Sequence, residues 1–166
     1  RQRTARDASP GAVRLVQGEL TGAAKAFCSA VEADDDAATQ KMAFASAHMN
    51  LGITLGKMGR KADARKHLNE AAKWFRRDLE RYPESMVCWE RLGETLALTG
   101  DLRGASDAFA RAVTLEPKHV AHYERLAELL EEQRRYEEAI SVARQPTSAA
   151  TSERSISRIS LISVSA

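Results

Sequence analysis

The chain has 166 residues, 43% of them hydrophobic and 29% charged, with a formal net charge of +2. That is enough for one compact domain or a short repeat array, and so small a net charge implies no nucleic-acid partner by itself. No apolar run reaches the length of a membrane span, and no signal-peptide pattern opens the chain. The charge is unevenly placed. Residues 1–85 carry 15 Lys and Arg against 11 Asp and Glu, residues 86–143 carry 7 against 11, and residues 144–166 carry 3 against 1.

The chain reads as a succession of helix pairs. "GELTGAAKAF" at 18–27 aligns with "GDLRGASDAF" at 100–109, with six of ten positions identical, and "GRKADARKHL" at 59–68 keeps the leading Gly and central Ala. Trp89, Leu92, Gly93, Leu96 and Ala105 are answered 34 residues later by Tyr123, Leu126, Ala127, Leu130 and Ala139. A period of this size marks one supersecondary unit laid down repeatedly. The turn anchors are Gly18, Gly59, Gly100 and Arg134, spaced by 41, 41 and 34 residues. Each lies between two stretches whose apolar residues recur at i, i+3, i+4 and i+7, the face of a helix. Gly100 follows the last periodic residue of one helix, Asp101 is placed to cap the next, and Pro117 to end it.

The two long spacings each add seven residues, about two helical turns, so the apolar face stays in phase. The first surplus falls before the middle helix pair and the second after it, which predicts one middle hairpin longer on both arms. Trp74, Phe75 and Leu79 are expected to pack on Ala38, Met42 and Ala45. Asp34, Asp35 and Asp36 are expected at a helix N-terminus, where the helix dipole favours acidic groups. Residues 145–166 open on "QPTSAATSERS" and are expected to be disordered.

These residues resemble the tetratricopeptide repeat family. Its unit favours a large residue, then Leu-Gly, a second large residue, a turn Gly, and then Ala, an aromatic, Ala and Pro. Residues 86–119 supply Trp89, Leu92, Gly93, Leu96, Gly100, Ala105, Phe109, Ala112 and Pro117. The middle unit supplies Leu51, Gly52, Leu55, Gly59, Ala64, Leu68 and Ala71; the first supplies Gly11, Gly18, Ala23, Phe27 and Ala30. The resemblance implies an all-α, right-handed superhelical array of antiparallel hairpins over residues 1–144. Its units would fall at about 4–37, 38–85, 86–119 and a truncated 120–144. It also implies a scaffold that binds another protein, holding an extended peptide or a partner helix in a concave groove lined by the first helix of each unit. Family members that clamp the C-terminal carboxylate of heat-shock chaperones use Lys, Asn and Arg at groove positions matched here by Ala8, Ala12, Asn50, Ala121 and Arg125. Only Asn50 and Arg125 fit, so no such clamp is expected.

The candidate partner-binding residues are Asn50, Glu90, Glu94, Glu124, Arg125 and Glu128. Glu90 and Glu94 share a helix face at i, i+4, and Glu124 and Glu128 repeat it one unit later. With Glu131 and Glu132 they would form an acidic patch suited to a basic peptide segment. The competing reading is that Arg91 and Arg125 neutralise these glutamates across the helices. No catalytic signature, cofactor motif or metal spacing is present. Cys28 and Cys88 are expected as buried thiols. His119 and His122 are expected as surface histidines, with Cys88 as the neighbour that a zinc site would need. Residues 57–81 hold nine Lys and Arg, but interleaved Asp63, Glu70, Asp78 and Glu80 favour a solvated helix face over an RNA-binding strip. A rival reading makes the chain the regulatory segment of a larger enzyme or transcriptional regulator. A cytoplasmic setting is expected.

Overall fold

A computed structural model describes residues 11, 14, 19–32 and 41–144. The described residues form seven helices: α1 (Leu20–Glu32), α2 (Lys41–Lys57), α3 (Lys61–Arg81), α4 (Met86–Thr99), α5 (Leu102–Leu115), α6 (Val120–Glu132) and α7 (Tyr136–Ala143). No strand occurs among them. The chain divides into two compact units, Arg1–Arg81 and Tyr82–Ala166. In the first, α1 packs on α2 and α2 on α3; in the second, α4, α5, α6 and α7 each pack on the next. Asp34–Asp36, Gly18, Ala8, Ala12 and the 145–166 tail lie outside the described residues.

The turns explain the period. Gly59, Gly100 and Arg134 all have positive φ, at 80°, 89° and 60°. The same pair of backbone bonds closes each of the preceding helices. Gly100 N–H donates to Ala97 and Asp101 N–H to Leu96; Gly59 to Gly56 and Arg60 to Leu55; Arg134 to Glu131 and Arg135 to Leu130. This is the Schellman closure, which needs a left-handed residue just past the helix end. Asp101 then turns the chain into α5, its carboxylate accepting from Gly104 N–H at 2.9 Å. Helix α5 ends at Leu115, two residues before Pro117, which could not extend its hydrogen bonds.

Only the last of these turns lacks glycine. A left-handed conformation costs an L-residue about 1–2 kcal/mol, and glycine is spared that cost. Arg134→Gly is therefore expected to stabilise the protein by roughly 0.5–1 kcal/mol, after allowing for glycine's greater freedom in the unfolded chain. A urea midpoint that fails to rise in this variant would contradict the account.

Between the turns, small residues let the helices approach closely. Gly11, Gly52 and Gly93 occupy the same place in successive units, seven residues before the turn anchor. A Cβ on Gly93 would lie 2.7 Å from Phe109 Cε2, one on Gly52 2.7 Å from Leu68 Cγ, and one on Gly11 2.7 Å from Phe27 Cε1. Each glycine thus faces the residue sixteen positions on, across the hairpin. Thr54 and Thr95, two places after Gly52 and Gly93, are fully buried. Their hydroxyls donate to the carbonyls of Asn50 and Arg91 at 2.8 and 2.7 Å, so neither is left unsatisfied.

The middle hairpin is the longest, with 17 residues in α2 and 21 in α3. Trp74 packs edge-on against Phe44, ring centroids 5.1 Å apart. Phe75, Leu79 and Ala45 are buried, while Ala38 and the Met42 side chain lie outside the described residues. The aromatic partner of Trp74 is thus Phe44, a residue the periodicity did not single out. Trp89, at the large first position of the repeat pattern, is half-buried: its indole N–H donates to the Pro83 carbonyl at 2.8 Å, and the Arg111 guanidinium lies over its ring. A tryptophan buries its ring but needs an acceptor for its N–H, and that acceptor lies in the exposed loop before α4.

Candidate partner-binding face

Within the second unit, α4 and α6 occupy equivalent places in successive hairpins. Their apolar lines turn inward: Cys88, Leu92 and Leu96 from α4, and Tyr123, Leu126, Leu129 and Leu130 from α6. That leaves Val87, Glu90, Arg91, Glu94 and Leu98 of α4, and Ala121, Glu124, Arg125, Glu128 and Glu132 of α6, exposed or half-buried. The helix period fixes both sets.

The charged residues pair along their own helices. Arg91 donates to Glu94 at 3.2 Å and Arg125 to Glu128 at 2.8 Å, both i, i+3. The structure therefore corrects the cross-helix neutralisation expected from sequence. An arginine reaches a glutamate one turn along its own helix more readily than one on a neighbour. Even so, α4 and α6 together carry six glutamates against two arginines. Exposed pairs of this kind contribute only about 0–1 kcal/mol each.

Glu90 reaches from α4 toward α6. Its Oε2 lies 3.8 Å from His122 Nε2, too far for a hydrogen bond. His122 is 2% exposed, and neither ring nitrogen has a hydrogen-bond partner among the described residues. This corrects the expectation that His122 sits on the surface. The exposed member of the pair is His119, whose ring stacks on that of His122 at 4.1 Å. Burial, then the neighbouring His119, pushes the His122 imidazole below its ordinary pKa, against the opposing pull of Glu90 and Glu116.

Asn50 lies on α2 in the other unit and is half-buried, and its backbone carbonyl accepts from Thr54. Beside it the hairpin holds a second histidine pair that sequence reading did not bring together. His48 of α2 and His67 of α3 approach Nδ1 to Nδ1 at 3.0 Å. One must carry the proton and the other accept it. Phe44 covers His48 edge-on, with ring centroids 4.7 Å apart. Cys88 is buried as expected, but Cys28 is exposed, because it falls one residue past Phe27 on α1 and so turns outward. No group of three His, Cys, Asp or Glu that could hold a metal occurs among the described residues. No helix among them is long and apolar enough to cross a membrane.

The His48–His67 contact makes stability depend on pH. Both imidazoles are pushed below their ordinary pKa, chiefly by burial. The His67 charge adds to this at His48 and the Lys66 charge at His67, while Glu70 opposes it at both and Asp63 at His67. Each histidine binds a proton more weakly in the folded chain than in the unfolded one, so stability is full above about pH 6.5 and falls as pH drops through the native pKa. The melting temperature of the first unit should hold steady from neutral to mildly alkaline pH and decline below about 6.5. His67→Asn, which can still bond to His48 but does not titrate, should flatten that decline; an equally steep decline in this variant would count against the pair as its origin.

A repeated helix–turn–helix unit with glycine at the crossing and a left-handed turn residue defines a helical-repeat protein. Two tetratricopeptide repeat family models match the chain, over residues 43–118 and 90–150. The chain belongs to the tetratricopeptide repeat family. Its fold is similar to a crystal structure of MamA (19% identity, TM-score 0.60), with 90% of this chain and 81% of that one covered. A second MamA structure is similar at 18% identity and TM-score 0.60, covering 90% of this chain and 76% of that one. YrrB, described as a TPR protein with an unusual peptide-binding site, is similar at 19% identity and TM-score 0.55, covering 81% of this chain and 62% of that one. At these identities the likeness is one of fold. No curated protein matches the chain in sequence.

Proposed function

We propose that the chain is an interaction scaffold whose α4/α6 face binds a basic peptide segment or basic helix of another protein. Tetratricopeptide repeat arrays are generally protein-interaction modules, and YrrB is described as having a peptide-binding site. The observation that carries the basic partner is the excess of carboxylates. Glu90, Glu94, Glu124, Glu128 and Glu132 lie exposed or half-buried on two adjacent helices, with only Arg91 and Arg125 among them. Val87 and Leu98, 45% and 52% exposed, flank the charges on α4 and offer the apolar contact a helix or peptide would cover. The mechanism is contact: opposite charge raises the association rate and selects the partner.

The test is charge reversal. Glu94→Lys with Glu128→Lys should abolish binding of a fluorescent Lys- and Arg-rich peptide, measured by anisotropy at low salt. The fold should survive, because both side chains lie at the surface and each gives up only a weak pair. Wild-type binding should weaken as salt is raised. Unchanged affinity in the double reversal, with an unchanged melting temperature, would place the partner elsewhere.

A further inference from the structure

The first unit presents the opposite charge on one helix. The buried line of α3 is Ala64, Leu68, Ala71, Ala72, Phe75 and Leu79. At 100° per residue, Lys66, Lys73 and Arg77 then run down the outermost line at i, i+7 and i+11, with Arg65 and Arg76 on the flank of the helix, about a quarter turn away. All five are exposed. Lys73 is paired with Glu70 at 2.6 Å. Arg77 lies 5.4 Å over the Trp74 ring, as a cation on an aromatic face. Arg65, Lys66 and Arg76 have no carboxylate partner within ion-pair distance among the described residues. The strip is about 16 Å long from Arg65 to Arg76, at about 1.5 Å per residue. At the same rise the glutamates span about 6 Å of α4, from Glu90 to Glu94, and about 12 Å of α6, from Glu124 to Glu132.

We infer that the protein self-associates, the α3 strip of one copy docking on the α4/α6 acidic face of another. This rests on the acidic face being a docking site for basic helices, and it names one such helix, α3 of a second copy. Complementarity of charge favours this occupant for α3 over nucleic acid. Glu70, Asp78 and Glu80 interrupt the strip, which would oppose a continuous line of phosphates, whereas the acidic face itself interleaves Arg91 and Arg125 among its glutamates. The contact joins two different surfaces, so it is heterologous and each copy offers both halves.

Sedimentation velocity on the full chain tests this. Wild type should associate as its concentration is raised at low salt and return to monomer near 1 M salt, where the screening length falls to about 3 Å. Two variants, Arg65→Glu with Arg76→Glu and Glu94→Lys with Glu128→Lys, should each remain monomeric alone. Each retains one native surface and carries one reversed surface that matches the other variant. An equimolar mixture should therefore associate again, which a general loss of folding or stickiness would not produce. Circular dichroism should show both variants to be as helical as wild type. A wild type that stays monomeric at low salt, single variants that still associate, or a mixture that does not would each overturn the inference. So would an α3 strip that binds a polyanion while the chain remains monomeric. A monomeric wild type that still binds the Lys- and Arg-rich peptide would sink self-association alone. Loss of that peptide binding as well would sink the acidic face as a docking site.

Discussion

Phe75→Ala should be the most damaging single truncation in the first unit, at about 3–5 kcal/mol, the range for a fully buried aromatic replaced by alanine. Among the described residues Phe75 is the largest side chain with no measurable exposure. It lies on the inward line of α3, between Ala71 and Leu79. The small residues before it, Ala71 and Ala72, let α2 and α3 approach closely but leave Phe75 to fill the space beside them. Removing its ring would open a cavity between α2 and α3 that the close-packed pair can fill only in part. Phe75→Leu should cost much less, roughly 1–1.5 kcal/mol, because most of the volume is kept. Urea titration followed by far-ultraviolet circular dichroism reads both values. Equal losses for Ala and Leu would mean that the aromatic shape, not the volume, is what the hairpin needs.

Gly93→Ala should destabilise the second unit by roughly 1–3 kcal/mol, the usual cost of overpacking a core. The sign is informative, since in an open helix the same change gains about 1 kcal/mol. The added methyl would stand 2.7 and 2.8 Å from two ring carbons of Phe109 and 3.4 Å from the Ala108 Cβ. Phe109 is 2% exposed and cannot swing into solvent. Pairing the change with Phe109→Ala should therefore cost less than the sum of the two single changes, with a coupling of about 1 kcal/mol or more. The chain already shows this substitution. In the final hairpin the equivalent positions hold Ala127 and Ala143, both buried. Strict additivity in the double variant would mean that Gly93 is present for a reason other than the ring across from it.

Sequence by itself determined the repeating unit. The 34- and 41-residue spacings fixed the turn positions, and all three described anchors adopt the left-handed backbone, Arg134 included. Asp101, Gly100 and Pro117 act locally, through bonds to residues a few positions away, and local chemistry can be read in order along the chain. The inward helix faces were legible for the same reason, because a period of 3.6 residues reports which side is buried. Tertiary packing decided what lies between helices. It placed His48 against His67, 19 residues apart, and Trp74 against Phe44. It buried His122 beside Glu90, where the sequence pattern had left it outside, and it held Trp89 half-buried under Arg111. Each of these depends on how two helices are rotated and spaced against each other. At the edge of an apolar face a small rotation moves a side chain from solvent into the interface. Helical periodicity fixes the centre of such a face and leaves its edges to the packing.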